Sequence, residues 1–416
     1  MVPAKSVVDL GIEILADSVA SIMKEKMDAY YGIPDNADEE DAFFVGDMGE
    51  IKRQHKQWKE MLPRVEPFYA MKCCPDPVVV QTLAQLGTGF DCASRAEIEM
   101  ALEFGVHPSN IIYANPCKQT SHIRYAACKG VQMMTFDNAD ELRKIKLHMP
   151  GAKLVVRILG SDGSRSLCNL GLKFGANPAI VPSLLAVARE LELDVIGVSF
   201  HVGSGCFDAQ VFGDAVKSAA GVIEVAKTYG YELSMLDVGG GFPCNGASGL
   251  TFKEIVSVLR PAIDNYIPSH IRVIAEPGRY YAASAFTLAV NVVARRVVPP
   301  LADEHPAYMY YINDGMYGSF NCITFDHAVV TPRVLAKNGE FAFKNGVMDS
   351  EPEYPCSIWG PTCDSIDCIT KEGNMPEMNV GDWMYFDHMG AYTLAAASRF
   401  NGFKKTEIIY TNTYQQ

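Results

Sequence analysis

Three short stretches of this chain hold side chains that could act together on one molecule. The run PFYAMK at 67–72 leads apolar and aromatic residues straight into a single cation, Lys72. That pattern reads as a short buried strand that delivers an amine into low dielectric, where the ammonium is disfavoured and the free amine can form a Schiff base. The other two are GGGFP at 239–243 and EPGR at 276–279. In the first, Gly239, Gly240 and Gly241 let backbone N–H groups close on an anion; in the second, Arg279 adds a bidentate charge, with Gly278 in the same loop. Together these two loops read as a phosphate cradle. A lysine, a phosphate cradle and the carboxylate of Glu276 describe a pyridoxal-phosphate site, with Glu276 placed to hydrogen-bond the pyridine nitrogen.

Other residues could complete such a site. His201, in FHVGSG at 200–205, can stack on a cofactor ring while Ser204 and its glycine neighbours contact phosphate. Arg157, in VVRI, is costly to bury without an anionic partner. Further along, WGPTCD at 359–364 sets the thiol of Cys363 beside Asp364 in a Gly-Pro turn, suited to proton transfer and cation recognition. Asp326, in FDHA, is a second carboxylate able to meet a substrate ammonium.

Such residues need a scaffold that makes strand ends converge. From residue 68, eight β-prone runs (68–71, 88–91, 111–115, 132–136, 154–158, 195–201, 233–238 and 272–275) alternate with helical segments of about a dozen residues. This predicts a (β/α)8 barrel, with a doubly wound sheet as the rival. The runs end in Lys72, Asp91, Asn115, Arg157, His201, the glycines 239–241, and Glu276 with Arg279. On a barrel those positions share one rim. After about residue 283 the β-runs (286–294, 308–312, 327–331, 383–386 and 408–410) lose their intervening helices, which predicts a second, antiparallel β domain. The expected fold is therefore α/β: a (β/α)8 barrel over 46–283 that binds pyridoxal phosphate, followed by an antiparallel β domain over 284–416. Residues 1–45 form a lead-in that adds a strand at 43–45 to the β domain.

Composition narrows the partners. A length of 416 residues favours two domains, and a formal charge of -13 argues against nucleic acid and anionic membrane surfaces. The twelve cysteines form no CxxC pair and no common zinc spacing, so they read as reduced and mostly structural, with no metal site. Asp9, Glu13 and Asp17 are wrong for a secretory leader, and the apolar run 280–294 is interrupted by Ser284, Thr287 and Asn291. A cytoplasmic protein without a membrane partner is expected.

The segments PFYAMKC, GTGFDCAS, IIYANPCKQ, SFHVGSGC, LDVGGGFP, IAEPGRYY, YINDGMYGSFNC, SIWGPTCD and MGAYTLAAASRFNGF occur in this order between about residues 60 and 403. In them the chain resembles the eukaryotic-type ornithine decarboxylases, a family of alanine-racemase-fold pyridoxal-phosphate enzymes. The resemblance implies decarboxylation of ornithine to putrescine, the first step of polyamine biosynthesis. It implies Lys72 as the Schiff-base lysine, Glu276 as the pyridine-nitrogen partner and His201 as the stacking residue. Phosphate contacts would come from Ser204, Gly239, Gly240, Gly241, Arg279 and Tyr392, with Asp91, Glu97 and Arg157 around the cofactor. Cys363 would position or protonate the product carbon; Asp326 and Asp364 would hold the distal ammonium, beside Phe325 and Tyr317. The family also implies a homodimer with shared sites, Lys173 at its contact, and an antizyme-binding segment at 118–141.

Phe325 stands where the family commonly has tyrosine, and Ser365 where glycine is usual. The sequence stops at Gln416, short of the degradation tail of vertebrate members, which implies slower turnover. Two alternatives stay open: a decarboxylase of lysine, arginine or diaminopimelate, and a catalytically inactive regulator of the antizyme-inhibitor kind.

Overall fold

The β-runs between residues 65 and 275 are short and apolar, and four of the helices between them open on a side-chain cap, which favours alternation of strand and helix. Asp76 accepts hydrogen bonds from the N–H groups of Val78 and Val79 and starts the helix Pro77–Gln85. Ser94 and Asn138 do the same for Arg95–Glu103 and Ala139–His148, and Thr251 with Glu254 forms a capping box on Phe252–Tyr266. Each cap satisfies amides that would otherwise lack partners, and it fixes where a helix leaves its strand.

The computed structural model describes residues 9–32, 40–160, 166–168, 173–246, 249–298, 307–344 and 351–414. Eight strands form a closed barrel: β1 (Val65–Ala70), β2 (Gly89–Cys92), β3 (Ile111–Tyr113), β4 (Met133–Phe136), β5 (Lys153–Leu159), β6 (Asp194–His201), β7 (Met235–Asp237) and β8 (Arg272–Ala275). All eight neighbouring pairs are parallel, so the carboxyl ends of all the strands lie on one rim. Phe68, Ile112, Met133, Val155, Met235 and Ile274 pack into one buried cluster in the barrel. The expected barrel is present, with small shifts at strand ends. β3 stops at Tyr113 because Asn115 turns the chain, its Oδ1 accepting from Cys117 N–H at 3.0 Å.

The chain forms two compact units, one built on Lys52–Tyr281 and the other on Ile12–Ile51 with Ala282–Gln416. The second unit's longer strands after the barrel are β9 (Phe286–Val298), β10 (Ala307–Ile312), β11 (Arg333–Lys337), β12 (Glu353–Trp359), β13 (Cys368–Pro376), β14 (Trp383–Phe386) and β15 (Glu407–Thr411). β9 is its spine and pairs antiparallel with β10, β14 and the early strand Phe43–Asp47. Three parallel joins interrupt the antiparallel pattern among the described residues: β15 with Phe43–Asp47 and with the short strand Ile14–Leu15, and β10 with β12. Met23, Met27, Phe43, Val45, Leu335, Trp383 and Tyr385 pack as its core, with the helix Val19–Gly32 contributing both methionines.

One expected strand is absent. Residues 327–331 are irregular, because His327 adopts a left-handed backbone (φ 54°) that breaks an extended run; the strand there is β11, beginning just after Pro332. β12 and β13 were not expected. Among the described residues no helix is long and apolar enough to cross a membrane.

Candidate active site

The barrel rim gathers most of the residues singled out in the sequence. Lys72 lies in the 3-10 turn Met71–Cys73 directly after β1, and its Nζ donates to Asp91 Oδ2 at 2.5 Å. Sequence alone placed this amine in low dielectric. The structure corrects that: the Lys72 side chain is 43% exposed, while its partner Asp91, on β2, is buried. The strand ends at Ala70, and the turn carries the lysine out to the rim. Next to Asp91, Glu97 accepts a hydrogen bond from Ala93 N–H, and burial pushes its carboxyl above the usual range.

His201 closes β6. Its Nδ1 accepts from Gly203 N–H at 2.9 Å, so the neutral ring carries its proton on Nε2. Burial, with help from the cations Arg157 and Lys72, holds its pKa well below the ordinary value. Arg157, on β5, lies with its guanidinium 5.5 Å from the ring centre of Phe174. Ser204 follows His201 in a short strand paired antiparallel with Ser166–Cys168, and its Oγ accepts from Arg279 Nη2 at 2.9 Å.

Gly239–241 follow β7 on a backbone that closes on its neighbours. A Cβ on Gly239 would lie 2.2 Å from Phe200 O, and one on Gly240 would lie 2.9 Å from His201 Nε2. Gly239 and Gly241 also have positive φ, so glycine is required twice over. Gly278 is held equally tightly, against Cys73 Cβ at 2.8 Å.

Glu276 is buried, and its N–H donates to Gly239 O at 2.7 Å. Burial first, then the charges of Asp237 and Asp91, push its carboxyl well above the usual range. Asp237, at the end of β7, accepts from Gly239 N–H at 2.8 Å and is within hydrogen-bonding reach of Glu276; burial pushes it up to about 7. Two carboxyl groups this close and this buried disfavour each other's ionised form. Asp91 Oδ1 and Asp237 Oδ2 are buried with no hydrogen-bond partner. Three carboxylates thus cluster near the cations Lys72 and Arg157.

The remaining candidates lie in the second unit. Tyr317 Oη donates to Asp364 Oδ2 at 2.6 Å and holds that carboxyl below its ordinary pKa. The Tyr317 ring stacks on Phe400, with centroids 4.2 Å apart. Cys363 is exposed on the same turn as Asp364. Asp326 is buried at the end of the short helix Cys322–Phe325, whereas Phe325 is 69% exposed. Tyr392 has a left-handed backbone (φ 57°). Among the described residues, no group of three or more His, Cys, Asp or Glu side chains could hold a metal ion.

Asp237 and Lys118 are buried charges at the barrel that sequence reasoning missed. Asp237 could have been suspected as the strand-end carboxylate just before the glycine run. Lys118 gave no signal: its enclosed Nζ donates to Thr135 O at 2.6 Å and Asn115 O at 3.1 Å and pairs with Glu141 at 2.9 Å, tying the ends of β3 and β4 together.

The family described as "Pyridoxal-dependent decarboxylase, pyridoxal binding domain" matches residues 48–283. An ornithine decarboxylase of Mus pahari is 51% identical over 93% of this chain and 84% of its own length. Antizyme inhibitor 2 of Xenopus laevis is 49% identical over 90% of this chain and 81% of its own. Among solved structures, the arginine decarboxylase of Paramecium bursaria Chlorella virus superposes with a TM-score of 0.84 at 33% identity, over 94% of this chain and all of that one. With a strand-end lysine, a glycine-lined loop and a buried acid on one barrel rim, and relatives at half identity over most of its length, the chain belongs to the pyridoxal-dependent decarboxylases.

Proposed function

We propose that this chain is an L-ornithine decarboxylase that uses pyridoxal phosphate to release CO2 from ornithine and leave putrescine. The observation that carries the reading is the buried acid cluster at the barrel rim. Asp91 and Asp237 each keep one buried oxygen without a partner, and burial pushes the Asp237 and Glu276 carboxyls toward the neutral form. Buried charge in that state calls for a cationic or proton-bearing ligand group.

The residues present fit the cofactor. A pyridine N–H would satisfy Glu276; the glycines 239–241 and Gly278 leave no room for side chains, and with Ser204 and Arg279 they offer amides, a hydroxyl and a guanidinium to phosphate. When bound, pyridoxal phosphate supplies an electron sink for the bond that releases the carboxylate. Lys72 would hold the cofactor covalently, and Asp91 would steady its amine between turnovers. His201, neutral with its proton on Nε2, would stack on the ring without adding charge. Arg157 would balance the carboxylates. In the second unit, Tyr392 would add a phosphate contact and Cys363 would deliver a proton from Sγ to the product's α-carbon. Asp364, kept ionised by Tyr317, and Asp326 would hold the distal ammonium, with Phe325 beside them.

The same reading makes the protein a homodimer in which Cys363 and Asp364 serve the partner's site. The exposed apolar side chain of Ile366, two residues beyond Asp364, supports it. Operation in the cytoplasm is supported by eleven cysteines that form no disulfide. The antizyme inhibitor relative supports an antizyme contact on 118–141. Lys118 and Glu141 are buried, so Arg124 and Lys129 on the helix Thr120–Lys129 are its available cations.

That relative also favours a second reading, a non-catalytic regulator, and the viral neighbour raises arginine as substrate. One experiment separates them: CO2 release by the purified protein with pyridoxal phosphate, offered ornithine, lysine, arginine and diaminopimelate side by side. Release from ornithine above all others is expected. Release chiefly from another amino acid overturns the substrate assignment, and release from none, with cofactor bound, leaves the regulator.

A further inference from the structure

Asp367 lies three residues beyond Asp364 and is only 1% exposed. Its carboxylate joins two turns that are distant in sequence. Oδ1 accepts from Met316 N–H at 2.7 Å, next to Tyr317. Oδ2 accepts from Thr362 N–H at 2.9 Å and Thr362 Oγ1 at 2.6 Å, next to Cys363 and Asp364. Its backbone closes the second turn as well, with Asp367 N–H donating to Asp364 O at 3.1 Å and Gly360 N–H donating to Asp367 O at 2.8 Å. A Cβ on Gly360 would lie 2.1 Å from Oδ1, so the turn wraps the carboxylate with no space for a side chain. The two turns are therefore joined twice, by Asp367 through backbone amides and by the Tyr317–Asp364 hydrogen bond.

We propose that Asp367 is a positioning residue for substrate selection: by clamping the two turns it fixes the Asp364 carboxylate and so sets the length of diamino acid the enzyme prefers. This rests on the reading that Asp364 meets the distal ammonium. The chemistry of the clamp is specific to a carboxylate. Three donors converge on two anionic oxygens; an amide of the same shape has one acceptor, and its NH2 would face a backbone N–H. Asp367→Asn therefore frees one turn while filling the same volume.

The test uses the purified holoenzyme with ornithine and lysine as competing substrates, and compares Asp367→Asn, Thr362→Val and Asp364→Ala. Asp367→Asn is expected to raise the ornithine KM about 10-fold with kcat within about 3-fold, and to cut the ornithine-over-lysine ratio of kcat/KM at least about 5-fold. Thr362→Val, which keeps both amide contacts, should move both quantities the same way by about 3-fold. An unchanged ornithine KM in Asp367→Asn overturns the proposal. So does an equal loss of kcat/KM for both substrates, which is the mark of a general structural fault. If Asp367→Asn does not fold, the ratio for Thr362→Val decides by the same criterion. Asp364→Ala separates the two levels: a normal ornithine KM there defeats the reading of Asp364 itself, whereas a raised KM there with a normal one in Asp367→Asn defeats only the clamp.

Discussion

The barrel rim and the turns of the β unit hold their acids in opposite ways. At the rim, Asp91 and Asp237 are buried with one oxygen each unpartnered, and burial drives Asp237 and Glu276 toward the neutral form. In the β unit, Asp314 accepts from Gly315 N–H, Ser319 N–H, Ser319 Oγ and Thr406 Oγ1, and Asp367 accepts from three donors. A saturated carboxylate has no capacity left for a ligand and serves to fix shape. An unsaturated one is poised for a group that is yet to arrive. Burial is common to both; the number of donors tells a structural acid from a receptive one.

This contrast can be broken experimentally. The largest effect is expected from Lys72→Ala, which should lower kcat by more than about 10³-fold and end borohydride-trapped attachment of the cofactor; appreciable turnover would mean that the rim is not the reacting centre. Tyr317→Phe removes the hydroxyl that holds Asp364. It should raise the ornithine KM about 3- to 10-fold with kcat little changed, and move the acidic limb of kcat/KM to higher pH, since Asp364 loses the bond that lowers its pKa. A fall in kcat alone would place Tyr317 elsewhere in the mechanism.

The smallest effect concerns the receptive acids without their ligand. Asp237 is raised from 3.8 to about 7 in the folded protein. Its contribution to stability is fully present below its unfolded pKa and is lost as pH rises through the folded value. The melting temperature of cofactor-free protein should therefore carry a component that declines between about pH 4 and 7, and Asp237→Asn should shrink that decline by about 2 to 4 °C. An identical profile in the variant would show that the pair with Glu276 is not titrating as described.

The barrel was legible because its signals are local. Strand runs, caps such as Asp76 and Ser94, and a reactive residue just past each strand end all lie within a few positions of one another. The β unit was less so. The apolar residues near Val329 and Val330 suggested a strand, but His327 turns the chain the other way, and β12 and β13 carry Pro355, Lys371, Glu372 and Gly373 along a ladder with register shifts. Lys72 was found but its exposure was not, since a one-turn extension beyond the strand decides it. Asp367 was out of reach: two of its three donors are backbone amides from turns distant in sequence, and amides carry no residue type.

The strand Phe43–Asp47 is made early, yet its flanking partners are β9 and β15, whose register pairs Phe43 with Glu407. At ordinary elongation rates roughly 20 to 70 s separate the synthesis of the two sequences. Until then Phe43, Phe44 and Val45 wait with the β15 edge open on a nascent chain while the intervening barrel can already fold. The ribosome's pace thus enters the topology: a delay or a truncation near the C-terminus would strand an apolar β-segment at the opposite end of the chain, and that segment, rather than the barrel, is where aggregation during biosynthesis would begin.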